Sequence, residues 1–401
     1  MSAVIPAVSR LKWPVVCDAG RVDSQFGIYV HIPFCRRKCL YCSFHSVVGG
    51  KRLQETYVRA LQRQIKQLAK VPWCRQRSCS TIFFGGGTPT MLPAAQLADL
   101  LNRIRDQFPC ERHLEISIEV NPATVDDGGL AVLRQAGFNR ISIGLQSLDD
   151  HELTKLGRSH TTTQGKSTVH RARAAGFENL SLDLMYGLPG QTLDSWRRTL
   201  GSTLELAPDH LSIYELTIEP DTVYAQLAAQ GLLAIPVEDD VLAMMDTLAE
   251  MVSAAGYKRY EISNYSLQGK ECLHNINYWQ NGSYLGLGSG AVSCLSGQRL
   301  RAMEDIPEFC ARLQDGERVW VEEECLDPEA RLRETVVMGL RMTAGVDLSS
   351  LTQRFGIDVL AYYGRKVEEL IASRLLAVEN GAMRLTDRGM RLANQVMAEL
   401  V

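Results

Sequence analysis

The sequence predicts an α/β fold: a partial (β/α)6 barrel over residues 27–255, then a connecting region at 256–325 and a winged-helix-like domain at 326–401. Three observations predict it. Short β-rich runs alternate six times with amphipathic stretches, and each helix supplies the right-handed crossover that neighbouring parallel strands need. Polar residues and glycines collect where those runs end, which is the rim on which parallel barrels assemble their sites. Beyond Pro328 the pattern changes to helices and then two short β-runs turning at Asn380 and Gly381.

Residues 1–26 read as an N-terminal extension. The first strand is Gly-Ile-Tyr-Val-His-Ile-Pro-Phe at 27–34, and a helix over 54–70 follows with Tyr57, Leu61, Ile65 and Leu68 at helical spacing. Thr-Ile-Phe-Phe at 81–84 is a buried-type strand running into Gly-Gly-Gly-Thr-Pro at 85–89. The helix over 93–108 carries proline in its first turn. The alternation continues with strand 115–120 and helix 126–136, then strand 140–145 and helical segments between 149 and 175. Strand 180–186, helix 194–206 and strand 211–217 complete it. A long helix over 237–255 follows, and 257–300 is rich in aromatics and glycine. The tail predicts helices over 328–343, 348–354 and 358–373, a hairpin over 375–386 and a final helical stretch over 387–401.

Bulk properties exclude several classes. With 43 basic and 46 acidic residues among 401, the chain lacks the basic footprint of a general nucleic-acid binder. No apolar run approaches a membrane span, and the first ten residues lack the form of a secretory signal, so a cytoplasmic protein is expected. The eleven cysteines form no regular disulfide framework. Cys74 and Cys79 read as surface thiols. In the tail, Glu368, Glu369, Glu379 and Asp387 dilute the charge, so the winged-helix-like domain reads as a docking module rather than a DNA reader.

Cys35-Arg-Arg-Lys-Cys39-Leu-Tyr-Cys42 directly follows the first strand. Three thiolates within eight residues can wrap one inorganic core while leaving one iron open for a ligand. Zinc is disfavoured, because tetrahedral zinc usually recruits two separated ligand pairs. Arg36, Arg37 and Lys38 are expected to lower the thiol pKa values toward the metal-binding thiolate.

With that loop at the first strand end and Gly85-Gly86-Gly87-Thr88-Pro89 at the second, the chain resembles the radical S-adenosylmethionine superfamily. The resemblance implies a TIM-like partial barrel and a [4Fe–4S] cluster held by Cys35, Cys39 and Cys42. Further motifs are Glu-Val-Asn-Pro at 119–122, Gly-Leu-Gln-Ser at 144–147 and Asp-Leu-Met-Tyr-Gly-Leu-Pro-Gly-Gln-Thr at 183–192. They are similar to the branch that contains anaerobic coproporphyrinogen dehydrogenase. That likeness implies S-adenosylmethionine contacts from Tyr29, Tyr41, Gly86, Gly87, Thr88, Glu119, Gln146, Arg158 and Asp183. The oxidase pattern has a further cysteine two positions past the third, where this chain has Phe44.

Leu-His-Asn-Ile-Asn-Tyr-Trp at 273–279 resembles instead the His-Asn-x-x-Tyr-Trp motif of the haem chaperone family within this branch. The resemblance implies haem contacts from His274, Asn275, Tyr278 and Trp279, with His274 as the named iron ligand and Cys272 its competitor. His31 and His45 are read as orienting the cluster loop. The function so implied is delivery of haem to recipient proteins, with transient contact to membrane haem proteins and a homodimer as further expectations. The enzyme alternative is oxygen-independent coproporphyrinogen III dehydrogenase.

Overall fold

The computed structural model describes residues 24–401. Of the extension read at 1–26, residues 1–23 lie outside the described residues, and Gln25 already belongs to the first strand. The barrel region runs β1 (Gln25–Ile32), α1 (Lys51–Leu68), α2 (Pro72–Arg75), β2 (Ser78–Gly86), α3 (Ala94–Gln107), β3 (Cys110–Val120), α4 (Asp127–Ala136) and β4 (Arg140–Gln146). It continues through α5 (Asp150–Lys155), α6 (Thr162–Ala174), β5 (Leu180–Tyr186), α7 (Leu193–Glu205), β6 (His210–Glu215), α8 (Val223–Ala229) and α9 (Glu238–Ala254). Strands β1 to β6 pair in parallel, as six β/α units require, and they lie in chain order, which the sequence leaves open.

The next segment adds strands to both edges of this sheet. At the β6 edge, β7 (Lys258–Arg259) and β8 (Asn264–Ser266) continue it in antiparallel fashion. Then α10 (Leu273–Trp279) crosses back, and β9 (Tyr284–Leu287) pairs in parallel with β1. Beyond it lie β10 (Val292–Leu295), β11 (Gln298–Ala302), α11 (Ile306–Asp315) and β12 (Trp320–Cys325). Among the described residues the result is a twelve-stranded open sheet with β1 to β6 as its curved centre.

Period-2 alternation explains how that centre works. Ile28, Val30 and Ile32 of β1, Ile116 and Ile118 of β3, Ile141 and Ile143 of β4, and Leu182 and Leu184 of β5 are all buried in one core with the helices. Leu61 and Ile65 of α1, Leu97 and Leu101 of α3, and Trp196 and Leu200 of α7 meet them there. Each such side chain contributes about 1.5–3 kcal/mol by leaving water. The intervening strand positions are polar and face inward. Cys74 and Cys79, expected at the surface, are 1% and 0% exposed: they pack as small apolar groups, and Cys79 sits opposite Cys110 in the sheet.

The tail comprises α12 (Pro328–Gly339), β13 (Val346–Asp347), α13 (Leu348–Phe355), α14 (Val359–Tyr363), α15 (Arg365–Ala372), β14 (Leu376–Glu379), β15 (Ala382–Leu385), α16 (Asp387–Arg391) and α17 (Ala393–Glu399). It has its own apolar core, in which Leu332, Val336, Met383 and Val396 meet. The single helix expected over 358–373 is broken at Gly364, whose φ of 49° and ψ of −122° suit only glycine. The hairpin turns where expected: Glu379 pairs with Ala382, and Asn380 and Gly381 both have positive φ.

Candidate cluster and cofactor site

The cysteine loop leaves β1 and is clasped at its neck. The Cys35 N–H donates to the Val47 carbonyl at 2.9 Å, and the Val47 N–H returns to the Pro33 carbonyl at 2.7 Å. Its far side is tied to the segment after α5. Arg37 Nε donates to the Gly157 carbonyl at 2.6 Å, Arg37 Nη2 to the Arg158 carbonyl at 2.9 Å, and the Leu40 N–H to the Leu156 carbonyl at 3.1 Å. Arg37 is therefore a structural tie. Burial pushes the Cys42 thiol above its ordinary pKa, with Cys39 and Cys35 adding to the rise and Lys38 opposing it. For Cys42, then, desolvation outweighs the basic neighbours expected to lower it.

All three thiols line one cavity of about 420 Å³ at the C-terminal ends of the strands. Tyr41, Gly86, Gly87, Thr88, Glu119, Gln146, Arg158 and Asp183 share that lining. The glycines are required by packing. A Cβ on Gly87 would stand 2.8 Å from the Phe34 carbonyl and 3.1 Å from Cys35 Sγ, and one on Gly86 would stand 2.5 Å from the His31 ring. Gly87 and Thr88 in turn donate backbone N–H groups to Ile32 and Phe34, holding the two strand ends together. Gln146 ends β4 at φ 67°, a left-handed conformation that costs about 1–3 kcal/mol and is typical of functional positions.

Two half-buried carboxyls share the cavity with the thiols. Burial, followed by the charge of Asp183, raises Glu119 to about 8, while the Gly86 N–H bonded to its Oε2 at 3.2 Å opposes the rise. Asp183 is also raised, mainly by burial, against hydrogen bonds that include Ser142 Oγ at 2.8 Å. Arg158 donates to the Gly144 carbonyl at 2.6 Å and reaches Cys39 Sγ at 3.7 Å. Asn121 Oδ1 and Arg158 Nε are buried without hydrogen-bond partners. Such orphaned polar atoms are what a polar ligand would satisfy. Among the described residues no three His, Cys, Asp or Glu side chains close on a single-ion site. The donor set is instead three thiols spread along a cavity wall, which suits a multi-atom cluster with soft ligands.

Tyr29 lies one layer deeper. It lines a separate chamber of about 230 Å³ with Phe83, Arg140, Ser142 and His274, and Glu119, Asp183 and Tyr214 border both spaces. Its hydroxyl meets His31 Nδ1 at 3.1 Å, and His31 Nε2 meets the His45 carbonyl at 3.0 Å, so the two histidines join β1 to the loop's end.

Helix α10 closes the opposite end of the barrel. Glu115 accepts the backbone N–H groups of Leu273 and His274, and His274 Nδ1 meets Thr81 Oγ1 at 2.7 Å. His274 Nε2 is engaged by the Tyr278 hydroxyl at 3.1 Å, the side chain is 1% exposed, and burial, then Arg140, lowers its pKa to about 3. Cys272 is buried beside Glu115 with its thiol pushed up to about 12 by that burial. The 274–279 run is thus divided. His274, Asn275 and Tyr278 line the inner chamber, whereas Trp279 stacks under Arg341 of the C-terminal domain at 4.6 Å. Ligation of haem iron by His274 would require breaking a hydrogen bond inside a chamber smaller than the roughly 300–1,000 Å³ of drug-sized sites.

Sequence reading missed Arg140, Ser142, Ser117 and Ser212 as inner-wall residues. The signal was present: Glu-Ile-Ser-Ile-Glu at 115–119 and Arg-Ile-Ser-Ile at 140–143 alternate polar and apolar residues, marking a polar inner face.

A partial parallel barrel whose first strand ends in three thiols, sharing one cavity with a glycine wall and half-buried carboxyls, defines a radical S-adenosylmethionine protein. Residues 29–202 match the Radical SAM superfamily, and residues 326–392 match the HemN C-terminal domain. The chain is 34% identical to the heme chaperone HemW of Lactococcus lactis subsp. lactis, over 93% of this chain and 96% of that protein. It is also 34% identical to that of Bacillus subtilis, over 92% and 97%. The chain belongs to the heme chaperone HemW family. The solved structure of coproporphyrinogen III oxidase (HemN) from Escherichia coli superposes with a TM-score of 0.81 over 94% of this chain and 90% of that one. At 24% identity, that likeness speaks for the fold. Among the described residues no helix is long and apolar enough to cross a membrane.

Proposed function

We propose that the chain holds a [4Fe–4S] cluster through Cys35, Cys39 and Cys42, binds S-adenosylmethionine beside it, and receives haem for delivery to recipient proteins. The observation that carries the cofactor reading is the single rim cavity shared by the three thiols, the glycine wall, Glu119, Asp183 and Arg158. In it, Glu119 and Asp183 accept hydrogen bonds from amino or hydroxyl groups, Arg158 pairs with a carboxylate, and Gly86 and Gly87 let the ligand approach the backbone. Tyr41, Thr88 and Gln146 complete the lining, with Tyr29 below them. When bound, the cluster and S-adenosylmethionine supply one-electron chemistry. The haem reading is supported by the HemW relatives, which match this chain over nearly their whole length. Phe44, 69% exposed at the lip of the cavity, is consistent with it, because the oxidase pattern has a cysteine there. The C-terminal domain is the proposed docking module.

Anaerobically reconstituted protein should pass haem to an apo haem protein and leave coproporphyrinogen III intact in the presence of S-adenosylmethionine and a reductant. Decarboxylation of the porphyrinogen would overturn the chaperone reading in favour of the oxidase.

A further inference from the structure

Another space is larger than both the rim cavity and the inner chamber. It is a cleft of about 1120 Å³ between the β6 edge of the barrel and the C-terminal domain, walled by α9, β7, β8 and α16. Its walls carry Tyr186, Tyr257, Tyr265 and Met390, which offer flat apolar faces and a polarizable thioether. Lys258, Arg259, Arg341 and Arg391 bring positive charge to the same space and outnumber its two carboxylates, Glu215 and Asp387. Arg391 bridges to Asp246 of α9 at 2.5 Å, tying the two sides together. Arg341 Nε is buried without a hydrogen-bond partner, and its guanidinium is held over Trp279. The last residue of the His-Asn-x-x-Tyr-Trp run thus props a cleft cation, while the first is locked inside the barrel.

Resting on the haem reading above, we propose that this cleft, and not the barrel interior, seats the haem. The space exceeds drug-sized sites of roughly 300–1,000 Å³, whereas the inner chamber falls below them. Aromatic and thioether walls suit a flat apolar macrocycle, and the cations suit its two propionates. Tyrosine and methionine are both side chains that ligate haem iron.

Ala249 and Ser253 line the cleft one turn apart on α9, and both are exposed, so bulk can be added there without entering the core. Titration of the full chain with ferric haem, followed by its Soret band, should show binding weakened about tenfold or more by Ala249→Trp and by Ser253→Trp. Binding of S-adenosylmethionine, measured on the same samples, should be retained. Arg341→Ala should weaken haem severalfold but leave haem dimethyl ester, whose propionates are uncharged, little affected. Parent-like haem affinity in both tryptophan variants would overturn the cleft assignment while leaving the haem reading intact. Absence of haem binding by the parent protein would instead overturn the haem reading itself.

Discussion

Glu119 shows how one cavity-lining side chain can make ligand binding pH-dependent. Its carboxyl is raised to about 8 by burial and by Asp183, so at neutral pH it carries a proton. A cationic or hydrogen-donating ligand group favours the ionised form, which accepts but does not donate. The ionised fraction grows as pH rises through 8. Affinity for S-adenosylmethionine should therefore climb from pH 6 to pH 8, about tenfold per unit where protonation dominates, and then level off. Isothermal titration across that range measures it, and Glu119→Gln should flatten the profile. A parent profile already flat between pH 6 and 8 would show that Glu119 does not ionise on binding. Both Glu119 and Asp183 were legible as rim residues, because each stands at a strand end in a motif. Their protonation was not, since it depends on how two strands bring them into one desolvated space.

At the level of elements, the cysteine loop is held by contacts distant in sequence. Arg37 makes two hydrogen bonds to the backbone of residues 157 and 158. Because this side chain is largely exposed, its net contribution to global stability is small, on the order of 1 kcal/mol. Its effect should be local: Arg37→Ala is expected to fold normally but, after reconstitution, to lose the proposed cluster several times faster under a chelator, followed by bleaching of visible absorbance. Arg37→Lys should rescue poorly, because a point-charge ammonium does not reproduce the fork that reaches both carbonyls. Unchanged cluster lifetime in Arg37→Ala would refute the tie. The cysteine spacing was readable because three ligands fall in one short segment. The role of Arg37 was not, because residues 36 to 38 look alike as a basic run and only tertiary contact separates them. Helix α10 teaches the same lesson. Its His-Asn-x-x-Tyr-Trp residues were legible, but a helix begun on Glu115 and plugged against Thr81 is fixed by partners more than a hundred residues away.

On the scale of the whole molecule, the six β/α units and their parallel pairing were readable because each unit is local and its crossover has one hand, but the order of the strands in the sheet was not. The added sheet edges were not, because β9 joins β1 across nearly the whole barrel sequence and no local pattern encodes that pairing. The sheet's polar interior and the loops packed on it hold titratable groups, and these set the molecule's response to acid. Burial lowers His31 and His160 to about 4 and His274 to about 3, and also depresses His45 and His210. In the unfolded chain these rings take up protons near pH 6.5. Their contribution to stability is therefore fully present above about 6.5 and is lost as pH falls toward the folded values, because the unfolded state binds more protons throughout that window. Glu119 acts in the opposite sense: its raised folded pKa adds stability as pH falls from about 8 toward the ordinary carboxyl range, which offsets one histidine. A difference measurement isolates the barrel plug. Between pH 6 and pH 4 the parent should lose about 1.4 kcal/mol per pH unit more than His274→Gln, whose amide can still bond Thr81 and Tyr278 but cannot take up a proton. Urea unfolding of the two proteins at a series of pH values measures that gap. Parallel stability curves for the two would mean that His274 is protonated as readily in the folded barrel as in water, and that α10 does not seal it from solvent.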